Sequence, residues 1–248
     1  MKSTKDVVTP LIVPDNFNLE TMMLSKTTEY GTFHESRKAA GFAQALVANG
    51  APADLALAEK VLDATLRCQE LHEDDAHYGN FFWMREDEVV TDLNAVEFVL
   101  EKLIPMMIQH GERLSPDVRT RVLASIRLGL AEIRRLDVLV AYTNITVLDI
   151  VNTCLGGELL EDPDIARRGY QKLVTWIGFT SQYGIPFEYN SPTYTAVTLR
   201  ALKQLTDLVR DEPTRVRART MAARLGLSVA LHIHGATGRW AGPHSRAY

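Results

Sequence analysis

The segments Asp92-Leu93-Asn94, Tyr142-Thr143-Asn144 and Ser191-Pro192-Thr193-Tyr194 each open an apolar stretch with helical spacing, and they recur at a beat of about fifty residues. Asn94, Asn144 and Tyr194 fall in step. A repeat of that length is one supersecondary unit that cannot bury its apolar face alone, so it specifies a stack of helical hairpins. The polar residues that recur at one point of the beat are thereby gathered at one end of the stack.

Apolar spacing predicts eight helices: 34–48, 52–69, 92–110, 116–136, 144–159, 163–182, 192–209 and 213–234. Val96, Val99, Leu100, Leu103 and Met107 keep the helical period, as do Val122, Ile126, Leu130 and Ile133. Ser115-Pro116, Asp162-Pro163 and Ser191-Pro192 are start signals, because the side-chain oxygen caps free backbone N–H groups where proline needs none. Gly156-Gly157 is read as a helix terminator. No period-two alternation competes for a strand. The expected fold is all-α, about four hairpins over residues 34–248, preceded by an irregular leader at 1–33 that contains Pro10, Pro14 and Gly31.

Charge and composition exclude several classes. A formal charge of −4 without a Lys/Arg-rich block argues against nucleic acid. The short apolar run near the N-terminus, broken by Pro10 and Pro14, is too brief for a signal peptide or a membrane span, so the expectation is a cytoplasmic chain. Cys68 and Cys154 lie in apolar helical patterns without metal spacing and read as buried free thiols. No cofactor is implied. His232-Ile233-His234, on a predicted helix end, points its imidazoles to different faces and makes no zinc site, and the acidic run before His77 reads as a solvated loop. No metal is expected.

The links after the second helix of each hairpin are long and rich in aromatic and polar residues: 70–91, 137–143, 183–191 and 235–248. In an up-down array they emerge together, and loops on a rigid helical scaffold are the usual home of binding and catalysis. Helical hairpins with such loops at one mouth resemble the α/α toroids of glycoside hydrolases and polysaccharide lyases. The segments Glu188-Tyr189-Asn190-Ser191-Pro192-Thr193-Tyr194 and Gly242-Pro243-His244-Ser245-Arg246-Ala247-Tyr248 are similar to those of uncharacterised proteins of that shape. The resemblance implies a partial or shortened toroid, since such toroids usually close with more than four hairpins. An open arc would leave its inner helices partly exposed, which favours a homo-oligomer.

The resemblance implies a carbohydrate-active enzyme, hydrolase or lyase, acting on a small-molecule or oligosaccharide substrate. Glu188, between Phe187 and Tyr189, is the leading acid, because flanking aromatics desolvate a carboxyl and raise its pKa. Asp92 is its counterpart for hydrolysis, which needs two carboxylates, although Asp92 also suits a helix cap. For elimination on a uronic acid, Arg and Asn neutralise the sugar carboxylate while Tyr or His takes the proton. Tyr189 and His244 are further catalytic candidates. Asn80, Phe82, Trp83, Asn94, Tyr142, Asn144, Asn190, Tyr194 and Arg246 are candidates for binding the substrate, the aromatic faces suiting the C–H faces of sugar rings. Two other readings stand beside this one. The first is a terpenoid isomerase, dehydratase or cyclase with Phe81, Phe82, Trp83 and Trp240 lining an apolar cavity. The second is a helical-repeat scaffold that binds a protein and does no chemistry.

Overall fold

The computed structural model describes residues 8–246. Its helices are α1 (Ser36–Asn49), α2 (Pro52–Leu66), α3 (Ala95–His110), α4 (Pro116–Leu136), α5 (Thr143–Leu159), α6 (Pro163–Tyr183), α7 (Pro192–Leu208) and α8 (Glu212–Leu231), so the fold is mostly all-α. The fifty-residue beat marks the starts of α3, α5 and α7. The chain divides into two compact units, Met1–Glu132 and Ile133–Tyr248. Among the described residues no helix is long and apolar enough to cross a membrane.

In the first unit α1 pairs with α2 and also packs on α3. The segment predicted to be an irregular leader holds an antiparallel meander, β1 (Phe17–Asn18), β2 (Met23–Thr28) and β3 (Gly31–His34), with Ser25 opposite His34 and Thr28 opposite Gly31. Polar residues occupy both faces of these strands, so the hydrophobic alternation by which a strand is recognised is absent. Phe17 reaches Phe42 of α1, with ring centroids 5.4 Å apart, and His34 Nδ1 lies 2.7 Å from Glu86 Oε1. The link from α2 to α3 passes so close to α4 that a Cβ on Gly79 would stand 2.7 Å from the Leu128 carbonyl oxygen. Gly79 also has φ +92°, in the region that glycine tolerates at no steric cost.

In the second unit α5 pairs with α6, α7 with α8, and the first helices of the two hairpins, α5 and α7, pack together. Every residue of α5 from Thr143 to Gly157 is buried, so this inner helix does not present the exposed apolar wall expected of an open arc. Gly156-Gly157 does not end the helix, which continues to Leu159. Gly157 faces Ala166, and Gly169 of α6 sits so near α5 that a Cβ there would stand 2.6 Å from the Cys154 nitrogen. The glycines are spacers between two helix backbones rather than stops. Cys154 and Cys68 are buried and free, and burial pushes the Cys68 thiol up to about 12. Beyond α8, which stops at Leu231 rather than 234, β4 (Ile233–His234) pairs with β5 (Arg239–Trp240).

A fully buried carboxylate locks α5 to α6. Asp149 accepts from Arg168 Nη1 at 2.6 Å, Arg168 Nη2 at 3.1 Å and Lys172 Nζ at 2.7 Å, while both cations also reach exposed Asp137. Removing one partner of a buried pair leaves charge uncompensated and costs about 3–5 kcal/mol. Asp149→Ala is expected to lose close to 3 kcal/mol, because Asp137 still serves the two cations. Gly169→Ala, which overpacks the same contact, should lose about 1–3 kcal/mol. Urea unfolding of both variants checks this; midpoints equal to the parent's would refute it.

Candidate functional site

Four of the predicted site residues meet in the second unit. Glu188, in the link between α6 and α7, accepts the Asn144 backbone N–H on Oε2 at 2.9 Å and an Arg246 Nη1 hydrogen on Oε1 at 2.6 Å. Arg246 Nη2 donates to the Tyr194 hydroxyl at 2.8 Å, and its Cζ lies 3.8 Å from the centroid of the Tyr194 ring. The clustering follows from helix-end chemistry. Tyr142, the residue before α5, makes no side-chain cap, so the free N–H of Asn144 is satisfied by Glu188 from 44 residues away. The same end of α7 is capped locally, with Ser191 Oγ accepting from the Tyr194 N–H at 3.3 Å.

The segment carrying Arg246 is tied down along its length. Ser191 Oγ donates to the Arg246 carbonyl at 3.2 Å, Ser245 Oγ donates to Asn190 Oδ1 at 2.9 Å, and Asn190 Nδ2 reaches the Pro243 carbonyl at 3.4 Å. His244 turns away to Trp240, its Nε2 lying 3.0 Å from the Trp240 carbonyl oxygen and its ring edge-on to the indole. Both Glu188 (φ 66°) and Arg246 (φ 50°) adopt the left-handed conformation that L-residues avoid.

The Glu188 side chain is 14% exposed and its pKa is raised above the ordinary glutamate range. Burial is the main cause, opposed by the Asn144 N–H and the Arg246 charge. The cavity beside it, bounded by Thr143, Pro186, Thr195 and Leu225, measures only about 10 Å³. Next to it is an aromatic cluster: Phe179, Tyr183 and Phe187 stand 4.8–5.3 Å apart by ring centroids, with Tyr183 and Phe187 exposed. Tyr189 and Tyr142 are exposed as well. The sequence reading missed Phe179 and Tyr183, whose signal is the four-residue spacing Phe179, Tyr183, Phe187 leading into Glu188.

A family model described as a domain of unknown function, DUF8769, matches residues 13–248. The chain belongs to the DUF8769 family. No curated protein and no solved structure matches it.

The remaining candidates of this DUF8769 chain lie in its first unit, where the contacts give several of them framework roles. Asn80, read as a substrate ligand, is fully buried: Oδ1 accepts the N–H groups of Phe81 and Val96, and Nδ2 donates to the Leu93 carbonyl and to Glu132. It caps α3 from a distant loop, a task the sequence reading gave to Asp92. Asp92 instead closes a turn before the helix, taking both the backbone and side-chain N–H of Asn94. Trp83 packs edge-on against Phe98 with Arg37 over its face, and Phe82 donates its backbone N–H to Cys68. The acidic run before His77 is exposed, as a solvated loop is, while His77 itself is half-buried near Glu132. His232 and His234 each face a local partner, Ser228 and Thr237.

Titration of Glu188 couples to stability. A carboxyl whose folded pKa is raised contributes most below its unfolded value, and that contribution is lost as pH rises through the folded value. Relative to Glu188→Gln, the parent should therefore lose stability as pH rises from about 4 and level off above the folded pKa. Unfolding midpoints of the two proteins across that range test this; a difference that stays flat or grows in the parent's favour would refute it.

Proposed function

We propose that this chain is a carbohydrate-active enzyme whose site in the second unit is built from Glu188, Tyr194 and Arg246. One observation carries the reading. A largely buried glutamate with a raised pKa shares a single arginine with a tyrosine hydroxyl, beside exposed aromatic rings. Hairpin architecture resembling the α/α toroids of glycoside hydrolases and polysaccharide lyases supports it at the level of fold alone.

Each part has a chemical use. A carboxyl whose pKa is raised by burial is, in its protonated form, suited to donate to a leaving glycosidic oxygen. Tyr194, as a phenolate beside the guanidinium, takes the proton next to the sugar carboxylate while the C–H electron pair forms the double bond and the Glu188 proton goes to the leaving oxygen. A guanidinium is suited to pairing a sugar carboxylate in bidentate fashion. Tyr183, Phe187 and Tyr189 offer ring faces to the C–H faces of a sugar. One carboxyl, one phenol and one guanidinium fit elimination on a uronic-acid chain better than hydrolysis, which needs two carboxylates. Because the cavity at Glu188 is so small, substrate enters as the 242–246 segment shifts and Arg246 exchanges Glu188 for the sugar carboxylate. We place the reaction in the cytoplasm, where two buried free thiols persist.

The test is a thermal-shift screen with neutral and uronic-acid oligosaccharides, followed by the ultraviolet absorbance of an unsaturated product. A ligand at about a hundredfold excess over Kd adds roughly 2.7 kcal/mol. Uronic-acid chains are expected to raise the midpoint of the parent and not of Arg246→Ala, and Tyr194→Phe should lower turnover by about 10²–10⁴-fold. No shift with any sugar, or turnover unaffected by Tyr194→Phe, would defeat the reading.

A further inference from the structure

The two units carry opposite charge. Lys and Arg outnumber Asp and Glu by 14 to 10 in Ile133–Tyr248, whereas 13 stand against 21 in Met1–Glu132. Part of the basic excess is a run the sequence reading passed over, Arg215, Arg217, Arg219 and Arg224 on α8. Of these, Arg217 lines a groove between α6 and α8.

That groove has two adjoining parts. One, of about 540 Å³, is bounded by the α5–α6 turn, by Ala166, Arg167 and Tyr170, and by Arg210. The other, of about 400 Å³, is lined by Arg167, Tyr170, Val174 and Arg217. Arg167 and Tyr170 line both, so the two parts adjoin. Its acids are mostly committed: Glu158 accepts the Tyr170 hydroxyl and the N–H groups of Arg210 and Asp211, and Asp162 caps α6. Arg167 pairs with exposed Asp164, and Glu161 lines the rim. Among the described residues neither Arg210 nor Arg217 is paired with a carboxylate. Val174 and, on α8, Val216 are about half exposed at 48% and 52%.

The first unit carries a segment of complementary chemistry. Leu71-His72-Glu73-Asp74-Asp75 are consecutive exposed residues beyond α2, with Leu71 55% exposed. Glu73 and Asp74 have no ion-pair partner among the described residues, whereas Asp75 accepts the His77 N–H.

We propose that the arginine-lined α6–α8 groove receives the Leu71–Asp75 turn of a second copy of the chain, Leu71 packing on Tyr170 and Val174 while Glu73 and Asp74 meet Arg210 and Arg217. The surfaces differ, so the contact is heterologous and builds a ring or an open chain of copies rather than a two-fold dimer. Attraction between exposed charges of this kind is screened by salt. A phosphate chain is the poorer occupant, because it has no apolar group to set against Tyr170 and Val174 as Leu71 does.

Sedimentation velocity of the full chain tests this at about 0.05 M and about 0.5 M salt. The parent should self-associate at low salt and weaken at least roughly tenfold at high salt. Groove reversal (Arg210→Glu with Arg217→Glu) and turn reversal (Glu73→Lys with Asp74→Lys) should each abolish self-association, and mixing the two variants should restore it between unlike molecules. The pair Arg210→Ala with Arg217→Ala, which removes charge without reversing it, should weaken association and serves if the reversal unfolds the protein. A parent that stays monomeric, association indifferent to these changes, or a mixture that does not recover would overturn the proposal. So would a parent that binds a DNA oligonucleotide through Arg210 and Arg217 and does not self-associate.

Discussion

Free backbone N–H groups at helix starts are the constraint from which much of this structure follows. A helix end cannot be buried with its first donors unmet. At α3 and α5 the N-cap side chain meets none of them, and although Asn144 Oδ1 takes the Ile145 N–H, other acceptors arrive from loops distant in sequence: Asn80 reaches Val96 and Glu188 reaches Asn144. Each link is thereby fastened to the head of an inner helix. The capping that satisfies α5 also draws Glu188, Arg246 and Tyr194 into one place, so framework and candidate chemistry share the same carboxylate.

This explains which features were legible in the sequence. Asp162, Ser191 and Asp211 cap their own helices, Thr214 N–H reaching Asp211 at 2.9 Å. Such caps, together with apolar spacing, located the helices to within a few residues because the information is local. Asn80 and Glu188 act across 16 and 44 residues, and nothing in a neighbouring position announces the partner. Asp92 looked like the cap of α3 because it stands where a local cap would stand. The meander at 17–34 was hidden for another reason: its strands are short and polar on both faces, so alternation never develops.

Glycine shows the same ambiguity. Gly156-Gly157 has the composition of a stop, yet the helix runs through it, because the absence of side chains is used to bring α5 and α6 together. Once the backbones are that close, Asp149 is sealed from water and must find its cations on α6. Arg168 and Lys172, spaced four apart, supply them. The charged side chains of Arg168 and Lys172 on α6 are therefore largely internal.

The left-handed backbone at Glu188 and Arg246 gives their ion pair a particular character. Holding a non-glycine residue in that region costs on the order of 1–3 kcal/mol, and here both ends of one salt bridge bear the cost. The bridge therefore does not stand alone: the ties from Ser191 and Asn190 to the 243–246 segment help to hold the arginine in a backbone conformation that an unconstrained chain would leave.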